Sequence, residues 1–310
     1  MPSYKDCRTE TAAKRKQSNV ALHYPISGMM YVKHRKAVFS VYLLVEYRIA
    51  NKESCKREQM LGLLKKKIEE VGQYFLLMKR VFERPDKFRM FLREMLKEMY
   101  KLGYDSLWIV IIISFFIGAV ITIQLGLNLT SPLIPKFTIG FTTREIVLLE
   151  FSSTVMCLIL AGKIGSSVAS EIGTMRVSEQ IDAIEIMGIN SANFLILPKI
   201  VGIMLFVPVL VLISMFTGII GGYIACSINP EMPISAYIQG IQYLFEPYYL
   251  FYSMVKSEVY VFLIASIAAF YGYFVKGGAL EVGKASTKAV VSSSIMILVA
   301  DLLLTQLMLV

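Results

Sequence analysis

The sequence has few charged residues: they make up 18% of its 310 positions, whereas hydrophobic residues make up 55%. Its mean hydropathy is +0.59, which excludes an ordinary soluble domain and with it a soluble enzyme. Its 20 glycines and 10 prolines are too few for a collagen-like or low-complexity chain. The composition therefore indicates a membrane protein.

Cysteine is also scarce, and the spacing of the cysteines matches no metal-binding or redox motif. The four cysteines include no CxxC pair, and Cys157 and Cys226 lie in apolar stretches where a thiol behaves as a small hydrophobe. We expect no disulfide framework, no metal site, no catalytic residue and no bound cofactor. The phosphate-binding loop GxxxxGK followed by Ser or Thr is missing, so ATP and magnesium would be bound by a separate protein.

Excess positive charge is confined to the first third of the chain. Residues 1–106 contain 23 Lys and Arg against 12 Asp and Glu, whereas residues 107–310 contain 9 against 11. The excess ends where the first long apolar run begins, as the positive-inside rule predicts. A basic nucleic-acid-binding surface would not explain that boundary, and we expect no nucleic-acid partner.

Five apolar segments are long enough to cross a bilayer, whose hydrocarbon core requires about 20 helical residues. We therefore predict an all-α polytopic membrane protein with five transmembrane helices. The segments are Leu107–Leu127, Ile146–Gly162, Ile200–Ile224, Tyr249–Val275 and Ala289–Val310. The ionisable residues inside them are Glu150, Lys256, Glu258 and Asp301.

Loop charges predict the orientation of the chain. The loop 223–248 contains no Lys or Arg, whereas the loops 163–199 and 276–288 together contain six. Basic loops remain on the cytoplasmic side of a membrane. We therefore predict a cytoplasmic N-terminus and a periplasmic C-terminus.

An amphipathic helix is predicted just before the first span. Between Asp86 and Gly103, Phe, Met and Leu recur at helical spacing and Lys and Arg occupy other faces. We expect this helix to lie flat at the membrane surface with its apolar stripe among acyl chains; a helix packed on a soluble domain is the alternative. The predicted domains are a basic, disordered tail or over-extended start (1–59), an interfacial helical region (60–106) and a five-helix transmembrane domain (107–310).

The loop after the second span, AGKIGSSVASEIGTMRVSEQIDAIEIMGIN, is more than a connector. Its part Glu171–Met187 predicts a helix with Val177, Ile181 and Ile184 in one apolar stripe, ended by Gly188. A short charged helix with an apolar ridge is typical of a docking element for a partner protein. A solvated loop helix has the same periodicity, so the pattern alone leaves both interpretations open.

Three segments carry a resemblance to a known family. The run EIGTMRVSEQIDAIEIMGIN, which begins at Glu171, resembles the signature of the MlaE/YrbE permease family of ATP-binding-cassette (ABC) lipid transporters. The run GGALEVGKAST, which begins at Gly277, resembles the family's GGAxGVGxATT loop, with Glu281 replacing a glycine and Ser286 a threonine. The following AVVSSSIMILVADLLLT resembles the last membrane helix of the family. The resemblance extends over nearly the whole chain from about residue 65.

This resemblance implies a homodimeric permease of the bacterial inner membrane that binds two ABC ATPase subunits. It further implies that phospholipid moves between that membrane and a periplasmic carrier of the MCE type, in maintenance of outer-membrane lipid asymmetry. The docking helix would be the coupling helix on the cytoplasmic side. The residues expected to contact the ATPase are Glu171, Thr174, Arg176, Glu179, Gln180, Asp182 and Ala183.

Three intramembrane charges match polar positions of the family. Lys256 would attract a lipid phosphate in a cavity between two permeases, while Glu150 and Asp301 would shape its polarity or hold helices in register. The neighbours of Glu150 differ from the family's arginine-glutamate-glycine-proline segment, which weakens the transfer of a lipid role to this residue. In the alternative, Lys256 snorkels to the outer surface. Asp301 is expected to bond to Ser292–Ser294 or Thr305 between helices.

Two functions of other classes remain open at this point. An ion-coupled secondary transporter could use the same three charges as a relay, although no inverted repeat is detectable. A non-transporting membrane scaffold could use the docking helix only to recruit partners.

Overall fold

The computed structural model describes residues 65, 67–83, 88–129, 135–229 and 232–309. Contacts within the chain form two units, Met1–Glu69 and Glu70–Val310. Of the first unit, only residues 65 and 67–69 are described, and they are helical. The predicted tail 1–59 lies outside the described residues, and everything below concerns the second unit.

Over the described ranges, the second unit is helical and contains no strand, which confirms the predicted fold class. A wide π-helical turn at Met99–Tyr104 joins α2 to α3, and α4 contains two such segments, Val147–Val155 and Ala161–Gly165. The helices in chain order are α1 (70–81), α2 (Phe88–Glu98), α3 (Asp105–Asn128), α4 (Phe137–Val177), α5 (Gln180–Ile186), α6 (Ser191–Ile228), α7 (Ile234–Gln242), α8 (Tyr248–Tyr273) and α9 (Ala279–Leu309).

Five helical stretches in the described part of the chain are long and apolar enough to cross a membrane, which confirms the five predicted spans. They are Arg89–Asn128, which joins α2 and α3, and the helices α4, α6, α8 and α9. The 41 residues of α4 and the 38 residues of α6 far exceed the roughly 20 that a bilayer core requires. The apolar runs therefore locate the spans, and the helices extend beyond them at polar ends.

The connections between spans fall on two opposite faces of the bundle. α5 precedes α6 and α7 follows it, and α6 is about 57 Å long at a rise of 1.5 Å per residue. We call these ends the α5 face and the α7 face. α8 runs from the α7 face to the α5 face and α9 returns, since the Tyr248 hydroxyl donates to the Met308 carbonyl at 2.9 Å.

Glycines bring α3 and α6 into close contact at the centre of the bundle. A Cβ atom added to Gly118 would overlap the carbonyl of Gly218, and one added to Gly221 would overlap the carbonyl of Phe115. In a membrane, where apolar burial drives helix association only weakly, such backbone proximity supplies the dispersion contacts that hold two helices together. These glycines therefore set the spacing on which the rest of the bundle is built.

The apolar stripe of the predicted interfacial helix is divided between two environments. Met95 on α2, and Leu102 just beyond it, are buried. A Cβ on Gly202 of α6 would lie 2.8 Å from the Met95 carbonyl oxygen, so the two helices are in close contact. Leu92 and Leu96 are exposed on the other side. The expectation that the whole stripe faces acyl chains was wrong, because α2 continues into α3 and is held against α6.

A buried arginine shapes the α7 face. Arg144 in α4 is almost completely buried, and its guanidinium donates to the carbonyls of Ile241, Tyr243 and Leu244 at 2.7, 2.8 and 3.3 Å. It also pairs with Glu145 at 2.6 Å. Leu244 has a left-handed φ of 45°, which is strained for a bulky side chain. The Arg144 hydrogen bonds hold the connection between α7 and α8 in this conformation.

Candidate functional site

A cluster of three ionisable side chains lies inside the bundle and is contributed by three helices. Lys256 on α8 places its Nζ 3.0 Å from Glu150 Oε1 on α4 and 2.7 Å from Asp301 Oδ1 on α9. Lys256 lies eight residues after the start of α8, or about 12 Å along the helix axis. The three residues selected from the sequence therefore meet in one site at membrane depth, nearer to the α7 face.

Neutral hydroxyl groups complete the cluster. The Tyr260 hydroxyl donates to Asp301 Oδ1 at 2.7 Å, and the Thr154 hydroxyl lies within hydrogen-bonding distance of both carboxylates. Lys256 Nζ lies 5.0 Å from the centre of the Tyr252 ring. Sequence reasoning missed Thr154 and both tyrosines. The available signal was the spacing of Tyr252, Lys256 and Tyr260, which places all three on one face of a helix.

The cluster is open on one side. The Lys256 side chain is fully buried, whereas the side chains of Asp301 and Glu150 are 22% and 47% exposed. A charge in the hydrocarbon core costs about 3 kcal/mol on insertion scales. The exposed side of Glu150 therefore requires a polar neighbour, which can be water, a ligand or another protein surface.

The structure decides the alternative left open for Lys256 and changes the predicted partners of Asp301. Lys256 does not snorkel to the outer surface, because Glu150 and Asp301 hold its ammonium inside the bundle. The predicted helix-to-helix hydrogen bonds of Asp301 are present, but they come from Tyr260 and Thr154 and not from the Ser292–Ser294 run or Thr305, since the rotation of α9 turns Asp301 towards α8 and α4. Those hydroxyls bond to tyrosines of α8: the Thr305 and Tyr252 hydroxyls lie 2.9 Å apart, and the Ser292 and Tyr271 hydroxyls lie 3.0 Å apart.

Glu258, the fourth ionisable residue of the spans, is not part of the cluster. It follows Lys256 by two positions, so it lies on a different side of α8. Its Oε2 atom is buried and has no hydrogen-bond partner among the described residues. The cluster is therefore limited to the three charges and the hydroxyl groups around them.

The predicted docking helix is two helices joined by a turn. α4 ends at Val177 and α5 begins at Gln180, and Glu179 between them has a left-handed φ of 60°. The Ser178 N–H and hydroxyl both donate to the Thr174 carbonyl, at 3.0 and 2.9 Å, whereas the Glu179 N–H donates only three residues back, to the Arg176 carbonyl at 3.2 Å, so the α-helical pattern ends there. The prediction of one helix over Glu171–Met187 was therefore wrong. The predicted stop at Gly188, which has a φ of 77°, is confirmed.

The apolar stripe of this element faces its own bundle. Ile181 is fully buried, and Val177 and Ile184 pack against buried residues. The exposed apolar residues are instead Ile186 and Met187, of which Ile186 is 87% exposed. Sequence reasoning missed both, because the turn at Ser178 and Glu179 changes the phase of α5 relative to α4.

The seven predicted ATPase contacts fall into three groups. Arg176 and Asp182 pair with each other across the turn at 2.6 Å. Glu171 faces inward, with its Oε2 2.9 Å from Lys199 Nζ and 3.0 Å from Lys101 Nζ. The remaining four, Thr174, Glu179, Gln180 and Ala183, are exposed on the α5 face.

The inward position of Glu171 links three helices. Lys199 on α6 is almost fully buried and forms ion pairs with Glu171 on α4 and with Glu98 on α2. Two carboxylates compensate the buried ammonium, as its removal from water requires. A displacement of the end of α4 would therefore be transmitted to both α2 and α6.

Hydroxyl groups anchor α5 to the rest of the α5 face. The Glu185 carboxylate accepts hydrogen bonds from the hydroxyls of Ser191 at 2.7 Å and Tyr273 at 2.8 Å. These hydrogen bonds stabilise the ionised carboxylate and lower the pKa of Glu185 from its ordinary value. α5 is thus attached to the ends of α6 and α8.

The two motif segments meet in space. A Cβ atom on Gly173, in the EIGTMRV run, would lie 3.1 Å from Val282 Cγ1 in the GGALEVG run. Val282 also packs in a small buried cluster with Val275 and Ala285. Among the described residues, no group of three or more His, Cys, Asp and Glu side chains could hold a metal ion.

Comparisons with known proteins agree with this architecture. The family model described as Permease MlaE matches residues 95–307. A probable ABC transporter permease protein of Rickettsia bellii is 34% identical over 216 residues, which cover 68% of this chain and 82% of the relative. A probable ABC transporter permease protein of Synechocystis is 32% identical over 220 residues, covering 70% of this chain and 82% of the relative.

A plant relative is also similar. The chloroplastic protein TRIGALACTOSYLDIACYLGLYCEROL 1 of Arabidopsis thaliana is 30% identical over 220 residues, which cover 69% of this chain and 61% of that protein. The family-model match over residues 95–307 includes both motif segments and the spans that carry the charge cluster. The chain therefore belongs to the MlaE family of ABC transporter permeases.

Proposed function

We propose that this permease moves phospholipids between a bacterial inner membrane and a periplasmic carrier of the MCE type, driven by a separate ABC ATPase. The observation that carries the proposal is the half-open charge cluster of Glu150, Lys256 and Asp301 at membrane depth. An exposed carboxylate at that depth is energetically costly unless a polar group from the membrane or from a partner contacts it.

The cluster fits a phospholipid headgroup. An ammonium has three donors, and the carboxylates of Glu150 and Asp301 take up two of those of Lys256. Because Lys256 is fully buried against Tyr252, a phosphate oxygen would reach the third donor by displacing the Tyr252 side chain. The exposed Glu150 carboxylate can accept from a headgroup amine or hydroxyl. The name of the Arabidopsis relative contains that of a glycerolipid, trigalactosyldiacylglycerol, which supports a lipid substrate.

A second copy of the chain would enclose the cluster. α9 is the least buried of the five spans, and its exposed side chains include Val291, Ile295 and Leu302. Two such apolar helices, each beside a half-exposed carboxylate, would form a cavity with an apolar lining and a polar centre. We therefore propose a homodimer whose lipid path lies between the two copies.

The α5 face is proposed as the cytoplasmic, ATPase-binding face. Glu179, Gln180 and Ala183 are exposed there beside Ile186 and Met187, which gives a polar surface with an apolar tip for the groove of a partner. ATP-driven movement of α5 would act on α6 and α8 through the Glu185 hydrogen bonds. The membrane helices would then change the width of the cavity.

Transfer of labelled phospholipid tests this proposal. We expect Lys256→Ala, reconstituted with the ATPase and carrier, to reduce ATP-dependent transfer by about tenfold, the effect of losing one charge-assisted contact, without loss of ATPase binding. Glu258→Gln, which neutralises a charge outside the cluster on the same helix, is the matched control.

Three results would refute the proposal. Transfer driven by a proton gradient without the ATPase would indicate a secondary transporter. ATP hydrolysis by an intact complex that never moves lipid would indicate a scaffold. Equal transfer by Lys256→Ala and the native chain would remove the cluster from the lipid path.

A further inference from the structure

A separate cavity lies on the α5 face, between α1 and the end of α8. Its volume is about 430 Å³, which is within the usual range for small-ligand pockets. α1 is fixed to α8 by the Tyr74 hydroxyl, which donates to Ser266 Oγ at 2.8 Å, and by the edge of the Tyr74 ring against Phe270. The cavity is therefore a feature of two packed helices, and it contains no residue of the charge cluster.

The polar side of the cavity carries a net positive charge, with two cations and one carboxylate in its wall. Lys79 and Arg80 both line it, and neither forms a salt bridge within the described part of the chain. Glu83 is the acidic residue of the wall, and its carboxylate already accepts from Asn190 Nδ2 at 2.7 Å. The free hydrogen-bonding capacity of the cavity is therefore mainly that of two cations and the Gln73 amide, which suits an anion.

The other side of the cavity is apolar and continues into an exposed apolar surface. Leu76 and Phe274 line the cavity and are both exposed. Phe75 and Val71, on the outward side of α1, are exposed as well. Apolar side chains exposed beside Lys and Arg at the end of a membrane span are typical of a helix that lies in the headgroup region. A free anion would use only the basic half of such a site.

We propose that this cavity binds the phosphate of an anionic phospholipid from the membrane leaflet at the α5 face. Lys79 and Arg80 donate to the phosphate, Gln73 donates to glycerol or headgroup oxygens, and the acyl chains lie along Leu76 and Phe274. Inorganic phosphate shares the anionic chemistry but lacks the apolar part, so the lipid binds more tightly. This site is distinct from the proposed transport path and does not depend on it.

The site is connected to the docking element through one of its walls. Tyr273 lines the cavity, its hydroxyl donates to Glu185, and its oxygen lies 2.9 Å from Ser191 Oγ. A lipid that packs against the Tyr273 ring restricts the side chain that anchors α5. Occupancy of the cavity would thus stabilise the surface that faces the ATPase.

Binding to the purified full chain, without ATPase or carrier, tests the proposal. The probes are dihexanoylphosphatidylglycerol, dihexanoylphosphatidylcholine and sodium phosphate, each titrated into permease in a neutral detergent. We expect dihexanoylphosphatidylglycerol, the anionic lipid, to bind more tightly than the other two probes. Lys79→Ala with Arg80→Ala should weaken its binding by about tenfold or more, as expected for the loss of two basic contacts.

Matched variants separate the site from general surface charge. Arg89→Ala with Arg93→Ala removes two exposed cations from α2 and should leave lipid binding unchanged. Leu76→Ser should weaken lipid binding but leave phosphate binding as it is, because it alters only the apolar wall. Thermal melting without ligand establishes that each variant is folded.

Four outcomes would overturn the proposal. Phosphate that binds as tightly as the lipid would make this a site for a free anion. Equal losses in the two double variants would reduce it to non-specific attraction. Unchanged lipid binding in Lys79→Ala with Arg80→Ala would exclude the cavity as the lipid-binding site. If that double variant also failed to capture the ATPase in a pull-down, the two cations would instead be contacts for the partner protein. Because no ATPase is present in the lipid titration, failure of the transport proposal would leave this lipid-site proposal unaffected.

Discussion

Replacement of Lys256 by methionine tests the energetics of the charge cluster most directly. Methionine keeps most of the side-chain volume but removes the ammonium, so the carboxylates of Asp301 and Glu150 lose their cation. The two losses should differ, because the side chain of Asp301 is 22% exposed and that of Glu150 is 47% exposed. A carboxylate with access to polar surroundings is screened and depends less on its partner.

The expected magnitude follows from this difference in exposure. The Lys256–Asp301 hydrogen bond at 2.7 Å joins two charged groups in a largely buried setting, for which about 1.5–3 kcal/mol is typical. The Lys256–Glu150 pair at 3.0 Å should contribute at most about 1 kcal/mol, because it is half exposed. We therefore expect Lys256→Met to lower the free energy of unfolding by about 2–4 kcal/mol.

Double-mutant cycles separate the two pairs. Combining Lys256→Met with Asp301→Asn removes the stranded carboxylate, so the double variant should recover stability, with a coupling energy of about 2 kcal/mol. The same cycle with Glu150→Gln should give a coupling below about 1 kcal/mol. Unfolding in mixed micelles, followed by circular dichroism, measures both. Additive effects at Asp301, or a larger coupling at Glu150 than at Asp301, would refute this reasoning.

Three further predictions concern the bundle and the α5 face. Gly118→Ala places a methyl group on the Gly218 carbonyl and should cost roughly 1–3 kcal/mol; Gly162→Ala, with nothing within 4 Å, should leave the melting temperature nearly unchanged, and equal effects would contradict the packing argument. Ile186→Asp should weaken ATPase capture in a pull-down by about tenfold without altering the melting temperature, and undiminished capture would exclude this surface. Since hydrogen bonds lower the pKa of Glu185, its stabilisation of α5 is complete above the ordinary glutamate pKa and is lost as the pH falls through the lowered value. Hydrogen exchange in α5, corrected for intrinsic rates, should therefore accelerate in acid, and Glu185→Gln should remove that dependence; an unchanged profile would show that this carboxylate does not anchor α5.

The membrane spans were predictable because they depend on a local property. A run of about 20 predominantly apolar residues predicts a helix buried in hydrocarbon wherever it occurs in the chain. The run from Leu107 to Leu127 therefore predicted α3, and the clean run from Ile200 to Ile224 predicted the centre of α6. The positions where helices extend past the bilayer carry no such signal, so the ends of α4 and α6 were not predicted.

The docking element shows where periodicity fails. Val177, Ile181 and Ile184 have the spacing of one helical face, yet the chain turns between the first and second of them at Ser178 and Glu179. Serine and glutamate give only a weak signal for a turn, and glutamate rarely adopts the left-handed backbone that Glu179 has. The exposed surface of α5 consequently differs from the predicted one.

By itself, the sequence determined which long apolar segments are helical, how many cross the membrane and which ionisable residues lie inside them, since each follows from the composition of a short stretch. Only the tertiary structure decided that Lys256 pairs with Glu150 and Asp301, that Glu171 faces Lys199, and that α1 and α8 enclose a cavity. These contacts join residues about 30 to 200 positions apart, and they depend on the rotation of each helix about its own axis. Small residues such as Gly118 and Gly202 set that rotation through close backbone packing, which hydrophobic periodicity does not encode.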